Sequence, residues 1–566
     1  MSSTVRKLVY GIFERLARKE MAELEDDCKN PRQAQWRKLA EIMKLNGETV
    51  FGKEHSFSSV NSISDYQNAT QISDYEKFRP YIDRMWQGEK QILTAEHPFM
   101  YATTSGTMGQ SKYIPVTPSY IKEFRKASVA SGYFTLKSFP GIVNGVTLSV
   151  FSPAEEGRSA DGTPYGAISG GLYLREPWLV KKYISPIPYQ VYLIKDYESK
   201  YYALLRCALA LPLTTFYTLN PSTIVMLLKK LDKFAPSLIK DIAEGTCNSP
   251  SPLGSETMEA IKPFLSKDPE RARYLSSLLE KGQFRPEKIW PQLQVVCCWT
   301  KASAAFYIKD FPEYFGNTPI TEVSYGASEG RGSISMGDGR QLLAIRSHFF
   351  EFIPESEIDS PTPSILLADE LSVGQNYYIL FSTAAGLYRY HINDVIKVVG
   401  MHHNCPLIEF QYKGGNISSF TGEKLTELQV TQAMQSALKE TNSSCRFFTL
   451  LPEFRPQPHY KLLLEFEPEQ GGAQKQAQSV LESFERHLCN LNEEYKTKRN
   501  SQRLDPPELA LLKTGAYENL RRKLSSAGTP DAQIKFSHLN PKDEIRSYFE
   551  EQASISEPRE FAEEHQ

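Results

Sequence analysis

No two of the eight cysteines in this chain are spaced as CxxC. Cys28, Cys207, Cys247, Cys297, Cys298, Cys405, Cys445 and Cys489 are scattered instead. This argues against a cysteine-paired zinc site and against a thioredoxin-like motif. A reducing, cytoplasmic setting is expected. Charge of one sign is also missing. The formal net charge is -2, and no block of lysines and arginines stands out. Neither nucleic acid nor an anionic membrane surface is therefore an expected partner. No run is apolar and long enough to span a bilayer. The nearest, "YYALLRCALALPLTTFY" (201–217), holds an Arg and a Pro and reads as a buried helix. The N-terminal stretch is amphipathic and charged, without the apolar core and small-residue cleavage site of a secretory signal. Internal repeats are absent. So is the GxxxxGK[ST] spacing of a Walker loop, which disfavours a P-loop NTPase.

What is present is a chain of 566 residues, too long for one hydrophobic core, with the 40% hydrophobic and 23% charged residues of an ordinary globular protein. Residues 1–50 read as helices. Leu8, Ile12, Leu16 and Met21 form one apolar stripe, and Trp36, Leu39, Ile42 and Met43 another. Between about 90 and 410, runs such as "GVTLSVFSP", "LQVVCCW", "HFFEFIP", "NYYILFST" and "VIKVVG" read as strands. They alternate with helical stretches such as "PSTIVMLLKKLDKF" and "ETMEAIKPFLSK". This mixture predicts α/β layers. Further on, "CRFFTLLPE" and "YKLLLEFEP" read as paired strands, followed by a helix with Val480, Phe484, Leu488, Leu491 and Tyr495 on one face. The expected division is a large domain over 1–412 and a smaller α+β domain over 413–566 with an acidic tail. Gly414 and Gly415 are the candidate hinge, though a glycine pair also makes an ordinary turn.

Three stretches could carry chemistry. In "YATTSGTMGQSKYIPVT" (101–117), Gly106 and Gly109 let successive N–H groups converge on an anion. Ser105 and Thr107 add hydroxyl donors, and Lys112 adds charge. A solvated turn has the same composition, so this loop alone decides nothing. In "VSYGASEG" (323–330) a strand runs into Gly-Ala-Ser-Glu, the place where α/β proteins present ligands. Tyr325 and Gly326 could flank a flat base, and Glu329 could hold Mg²⁺. A core tyrosine and an exposed glutamate would look the same. In "GLYRYHINDVIKVVG" (386–400), Tyr388, Tyr390 and Ile392 alternate with Arg389, His391 and Asn393, as in a strand with one buried face. Asp394 ends that run and precedes a second strand. It could accept hydrogen bonds from the two hydroxyls of a ribose, or it could shape a turn. His402 and His403 invite a metal reading. Neighbours on a strand point to opposite faces, which argues against both binding one ion.

In this order and spacing the three stretches resemble the signature of the adenylate-forming superfamily that includes firefly luciferase and the acyl-CoA synthetases. A closer resemblance is to the Gretchen Hagen family of acyl acid–amido synthetases, known chiefly from auxin-responsive plant proteins. "HPFMYATTSGTMGQSKYIPVT", "ISGGLYLREP", "GLYRYHINDVIKVVGMHHNCPLIEFQYKGG" and "ISSFTGEKLTELQV" carry it, over about residues 75–540. The chain departs from the family pattern at Met108, where Ser or Thr is usual, at His391 for Arg and at Asn393 for Gly. Its loop is one residue shorter before Lys112. The family's acyl-binding arginine has no aligned counterpart; Arg125 lies nearby but off register.

The resemblance implies a large luciferase-like N-terminal domain of β-sheets with packed helices and a small mobile C-terminal domain. It implies an ATP-dependent ligase that adenylates a carboxylic acid, releases pyrophosphate and passes the acyl group to an amine, with an amino acid as the expected acceptor. It puts Ser105, Gly106, Thr107 and Met108 around the phosphates, and Tyr325 and Gly326 at the adenine. Ser328 and Glu329 would face phosphates and Mg²⁺, and Asp394 the ribose. Lys424 would reach the α-phosphate, and Lys535 matches a lysine of the family's last segment. Two rivals stay open. One is an acyl-CoA ligase of the same superfamily. The other is a non-catalytic binding protein that keeps the fold, motivated by Met108, His391 and Asn393 and opposed by the presence of Glu329, Asp394 and Lys424.

Overall fold

The computed structural model describes residues 3–104, 112–301, 308, 311–414, 417–418, 423, 425–453, 458–466, 473–500, 504–527, 534, 536–539 and 543–554. The chain divides into two compact units, Met1–Gln411 and Tyr412–Thr529 with Ile534–Gln566. Among the described residues no helix is long and apolar enough to cross a membrane.

The first unit opens with helices α1 (Ser3–Lys29) and α2 (Pro31–Asn46). Pro31 starts α2, where its missing N–H costs nothing. The apolar stripe expected along α1 lies on the wrong face at its start. Leu8, Ile12 and Leu16 are 63, 47 and 71% exposed. The buried face carries Val9, Tyr10, Ala17, Met21, Leu24 and Cys28. Both sets repeat at helical spacing. Only the second continues to the end of the helix, and that length of contact decides which face turns inward.

Among the described residues, three sheets of four or more strands follow. Val146–Ser149, Leu213–Tyr217, Val295–Cys298 and Ile320–Glu322 form a parallel sheet in that order. "VVCC" is buried at every position, as a strand covered on both faces should be. The segment 201–217, expected to be a buried helix, is half helix and half strand. The Tyr197–Leu209 helix stops before Pro212, and the chain re-enters as a strand at Leu213. Arg206 in that helix is buried and donates to the carbonyls of Thr246, Phe264 and Asp241 at 2.9–3.2 Å. A second sheet pairs Met100–Thr104 antiparallel with Lys112–Val116 and parallel with Pro164–Gly166. The third has six strands, ordered Ser333–Ser335, Gln341–Leu343, Cys405–Lys413, Tyr390–His402, Asn376–Ser382 and Phe349–Pro354.

The second unit is α+β. Cys445–Glu453 and His459–Phe466 pair antiparallel, Glu508–Leu512 joins parallel, and the Glu427–Glu440 and Ala473–Leu491 helices belong to the same unit. Thr426 and Gln429 close a capping box at the start of the first of these helices.

Arg389 differs from its expected outward place on a strand. It precedes the strand, adopts a left-handed φ of 48° and is buried. Its Nε donates to Glu351 at 2.9 Å, and Nη1 donates to the carbonyls of Gln67 and Thr70 at 3.0 and 2.8 Å. It therefore closes the C-terminal end of the Ile63–Ala69 helix onto the large sheet. Arg389→Ala is expected to destabilise this unit by about 3–5 kcal/mol, because Glu351 would be left as a buried charge without its partner. A lower denaturation midpoint checks this. The double variant Arg389→Met, Glu351→Leu should recover part of the loss; an unchanged midpoint in the single variant refutes the role.

Candidate active site

The second motif folds as a tight ribbon. Gly326–Ala327 pairs antiparallel with Gly330–Arg331, and Ser328 and Glu329 occupy its tip. Tyr325, just before the ribbon, is anchored through its backbone. Its N–H donates to Ser333 Oγ at 2.8 Å, and its carbonyl accepts from the N–H groups of Gly332 and Ser333. Gly332 is required by space: a Cβ there would stand 2.3 Å from the Tyr325 ring. That ring stacks on Phe410, with centroids 5.4 Å apart and planes 20° apart. Its hydroxyl donates to Asp394 Oδ2 at 2.6 Å. Burial and the Asp394 carboxylate push the Tyr325 phenol well above its ordinary value, so it stays a donor at neutral pH.

Asp394 does not end a strand. Tyr390–His402 is one strand, and its pairing with Asn376–Ser382 shifts, from Leu380 opposite His391 to Tyr378 opposite Val395. Only Ile379 faces residues 392–394. This is a bulge, and Asn393 at its centre has a φ of 67°. A glycine adopts that angle freely, and asparagine is among the side chains that tolerate it best. The departure from the family's glycine is thus met by a residue suited to the same backbone. Past Asn393, Asp394 turns inward and is buried beside Tyr325. His391, where the family pattern has Arg, stacks on Tyr378 at 5.4 Å.

Glu329 is buried, not exposed. Tyr390 Oη donates to its Oε1 at 3.5 Å, and Lys112 Nζ donates to Tyr390 Oη at 3.3 Å. The Lys112 ammonium also stands over the Tyr75 ring, 5.4 Å from its centroid. Lys112 begins the strand that follows the first motif and pairs opposite Thr104, the last residue before it. Lys112, the first described residue after 105–111, is therefore held within hydrogen-bonding reach of Tyr390, which in turn reaches Glu329.

The residues behind the ribbon were not singled out in the sequence. Tyr120 Oη donates to the Ser328 carbonyl at 2.7 Å. His348 Nε2 accepts from the Arg331 N–H at 3.0 Å, which leaves Nδ1 to donate to Glu123 Oε2 at 3.1 Å. Glu123 Oε2 also accepts from the Ala384 N–H at 3.0 Å, and Lys38 Nζ lies 3.6 Å from Oε1. Tyr120 and Glu123 lie three residues apart on the Pro118–Ser138 helix, a spacing that places both on one face. That spacing was their only signal.

The structure thus brings together Tyr325, Gly326, Ser328, Glu329 and Asp394. Ser105, Gly106, Thr107, Met108, Lys424 and Lys535 lie outside the described residues. Glu423, the neighbour of Lys424, is buried in the second unit, where it accepts from Tyr460 Oη at 2.6 Å. Arg125 donates to the Arg175 carbonyl at 2.6 Å. His402 and His403 depart from the expected opposite faces. The strand ends at His402, His403 turns with a φ of 52°, and both Nε2 atoms reach Glu25.

Family models match in three consecutive blocks: the GH3 family N-terminal domain over 20–320, central domain over 341–413 and C-terminal domain over 428–544. The chain belongs to the GH3 family. This bears out the resemblance carried by its motifs. Among GH3 relatives, the indole-3-acetic acid-amido synthetase GH3.6 of Arabidopsis thaliana is 24% identical, over 92% of this chain and 91% of its own length. The jasmonoyl-L-amino acid synthetase JAR6 of Nicotiana attenuata is 23% identical, over 91% and 92%. The solved structure of the AtGH3.15 acyl acid amido synthetase in complex with 2,4-DB superposes with a TM-score of 0.81 at 20% identity, over 95% of this chain and 96% of that one. The GH3 fold is thereby shared, as the α/β expectation required.

Two outcomes test this geometry. Tyr325→Phe removes the donor to a buried carboxylate and is expected to cost about 1.5–3 kcal/mol, the range for hydrogen bonds to charged groups. A thermal midpoint equal to the parent's would refute the contact. Glu322, two residues before Ser324, is pushed up to about 7 by burial, with the Thr300 N–H on its Oε2 at 3.0 Å acting the other way. Its folded form holds a proton that the unfolded chain has already released. Stability is therefore full at low pH and falls as pH rises from the usual glutamate range toward about 7. Glu322→Gln should flatten that fall; an identical pH profile rules it out.

Proposed function

We propose that this protein is an ATP-dependent acyl acid–amido synthetase. The observation that carries this reading is the pair of buried carboxylates, Glu329 and Asp394, each held by a tyrosine hydroxyl, in a chain of the GH3 family. Curated relatives along nearly the whole chain are named as an indole-3-acetic acid-amido synthetase and a jasmonoyl-L-amino acid synthetase.

In the proposed reaction a substrate carboxylate attacks the α-phosphorus of ATP, giving an acyl-adenylate and pyrophosphate. An amine, such as that of an amino acid, then attacks the acyl carbon and displaces AMP. A carboxylate is already a nucleophile, so no separate base is required in the first step. The barrier is charge repulsion, which donors and cations placed in advance relieve. Ser105, Gly106, Thr107 and the Met108 backbone would hold phosphate oxygens. Tyr325 and Gly326 would line the adenine site, Ser328 would face the phosphates, and Asp394 would bind the ribose. Glu329 is a buried carboxylate, a donor of the type magnesium takes. Mg²⁺ there would offset phosphate charge. Lys424 would reach the α-phosphate, and Lys535 would act from the same smaller domain. The domain division at 412/413, with Gly414 and Gly415 as the joint, and a cytoplasmic setting are parts of this proposal. The smaller domain would shield the adenylate from water.

Acid-dependent exchange of labelled pyrophosphate into ATP tests the first step across a panel of carboxylic acids. Exchange is expected with at least one acid, and no exchange with any would overturn the reading. With that acid, Asp394→Ala should weaken ATP binding about 10–100-fold, as the loss of a buried acceptor costs about 1.5–3 kcal/mol. Lys424→Ala should slow exchange while the thermal midpoint stays unchanged.

A further inference from the structure

The hairpin that joins the Tyr390–His402 and Cys405–Lys413 strands meets the C-terminal end of α1, and three side chains with metal-ligand atoms converge there. Glu25 comes from α1; His402 and His403 come from the hairpin. Their ligand atoms all lie within 4.8 Å of one another. His402 Nε2 is 3.1 and 3.0 Å from the two Glu25 oxygens, and His403 Nε2 is 3.1 Å from Oε2. The two imidazole centroids are 4.8 Å apart with planes at 58°. Such convergence is unusual for adjacent residues. It exists because the strand ends and His403 takes a left-handed φ of 52°.

We propose that Glu25, His402 and His403 form a binding site for a divalent transition-metal ion of the zinc class. Two imidazole nitrogens and one carboxylate are a donor set suited to that class, and water would complete the coordination. Donors about 2.0–2.2 Å from a tetrahedral ion stand about 3.3–3.6 Å from one another; the histidine–carboxylate contacts at 3.0–3.1 Å need little adjustment, and the two imidazole nitrogens, within 4.8 Å of one another, would settle to the same spacing. The backbone under the site is fixed. The Asn404 N–H donates to the Cys28 carbonyl at 3.0 Å, and Asn404 Nδ2 donates to the Lys29 carbonyl at 2.7 Å. The ammonium of Lys29 is engaged by Asp26 at 2.9 Å. A bound ion would clip α1 to the hairpin between the strand of Asp394 and the strand of Phe410. The same contacts without an ion are simple histidine–carboxylate pairs, which at this exposure hold little energy.

The test uses the full chain without a polyhistidine tag, stripped with chelator and titrated with Zn²⁺ alone, in the absence of nucleotide. Calorimetry is expected to show one more binding event per chain in the parent than in His403→Gln or Glu25→Gln, with affinity at this site reduced in each variant by at least the roughly 10–100-fold that loss of an outer-shell partner costs. The thermal midpoint of the parent should rise with Zn²⁺, and that of the variants should not. Before metal is added the variants should unfold at the parent's midpoint, which separates loss of the site from loss of the fold. Co²⁺ should give weak ligand-field bands without thiolate charge-transfer absorption. Equal Zn²⁺ binding by parent and variants, no binding by the parent, or a thiolate band would each overturn the proposal.

Discussion

One break in strand pairing underlies the candidate site. The Tyr390–His402 strand pairs with its neighbour Asn376–Ser382 in two registers. At its start it pairs through Tyr390 and His391, and beyond the bulge through Val395 and Ile396. Three residues have to fit opposite Ile379, and the left-handed turn at Asn393 lets them do so. The consequence is chemical. Asp394 lies buried against the Tyr325 hydroxyl, while Tyr390, on the same strand, reaches Glu329. Two acidic groups are thus held apart from water by two phenols. Each phenol is raised by burial and so remains a donor.

These phenols depend in turn on apolar and polar supports. Tyr325 rests on Phe410, which faces Trp299. The Ser328–Arg331 segment is held from behind by Tyr120 and by the His348 ring, whose tautomer is set by the Arg331 N–H and by Glu123. The Arg389–Glu351 pair secures the chain immediately before the same strand. A site built this way is preformed, which suits a reaction whose barrier is electrostatic repulsion.

The motifs themselves were legible because each is a short, local word: Tyr-Gly before a Ser-Glu tip, and an Asp after Tyr-Arg. The family and its α/β fold followed from their order. Less legible was anything set by a partner distant in sequence. The stripe of Leu8, Ile12 and Leu16 has a sound helical period, yet a second stripe on α1 offered longer contact. Arg389 read as an outward strand residue because Glu351 and the carbonyls of Gln67 and Thr70 cannot be seen from its neighbours. His402 and His403 read as diverging because nothing local marked a left-handed turn at His403. Glu123 and His348 stand 225 residues apart and carry no motif at all.

The central claim is that the Tyr325–Asp394 and Tyr390–Glu329 pairs form the nucleotide end of the site. The most direct measurement is a crystal structure of the protein with AMP. The ribose hydroxyls should lie within hydrogen-bonding distance of the Asp394 carboxylate, with the phosphate beside the 105–111 loop. AMP bound elsewhere, with Asp394 touching only protein groups, would mean that this constellation is structural and not a nucleotide site.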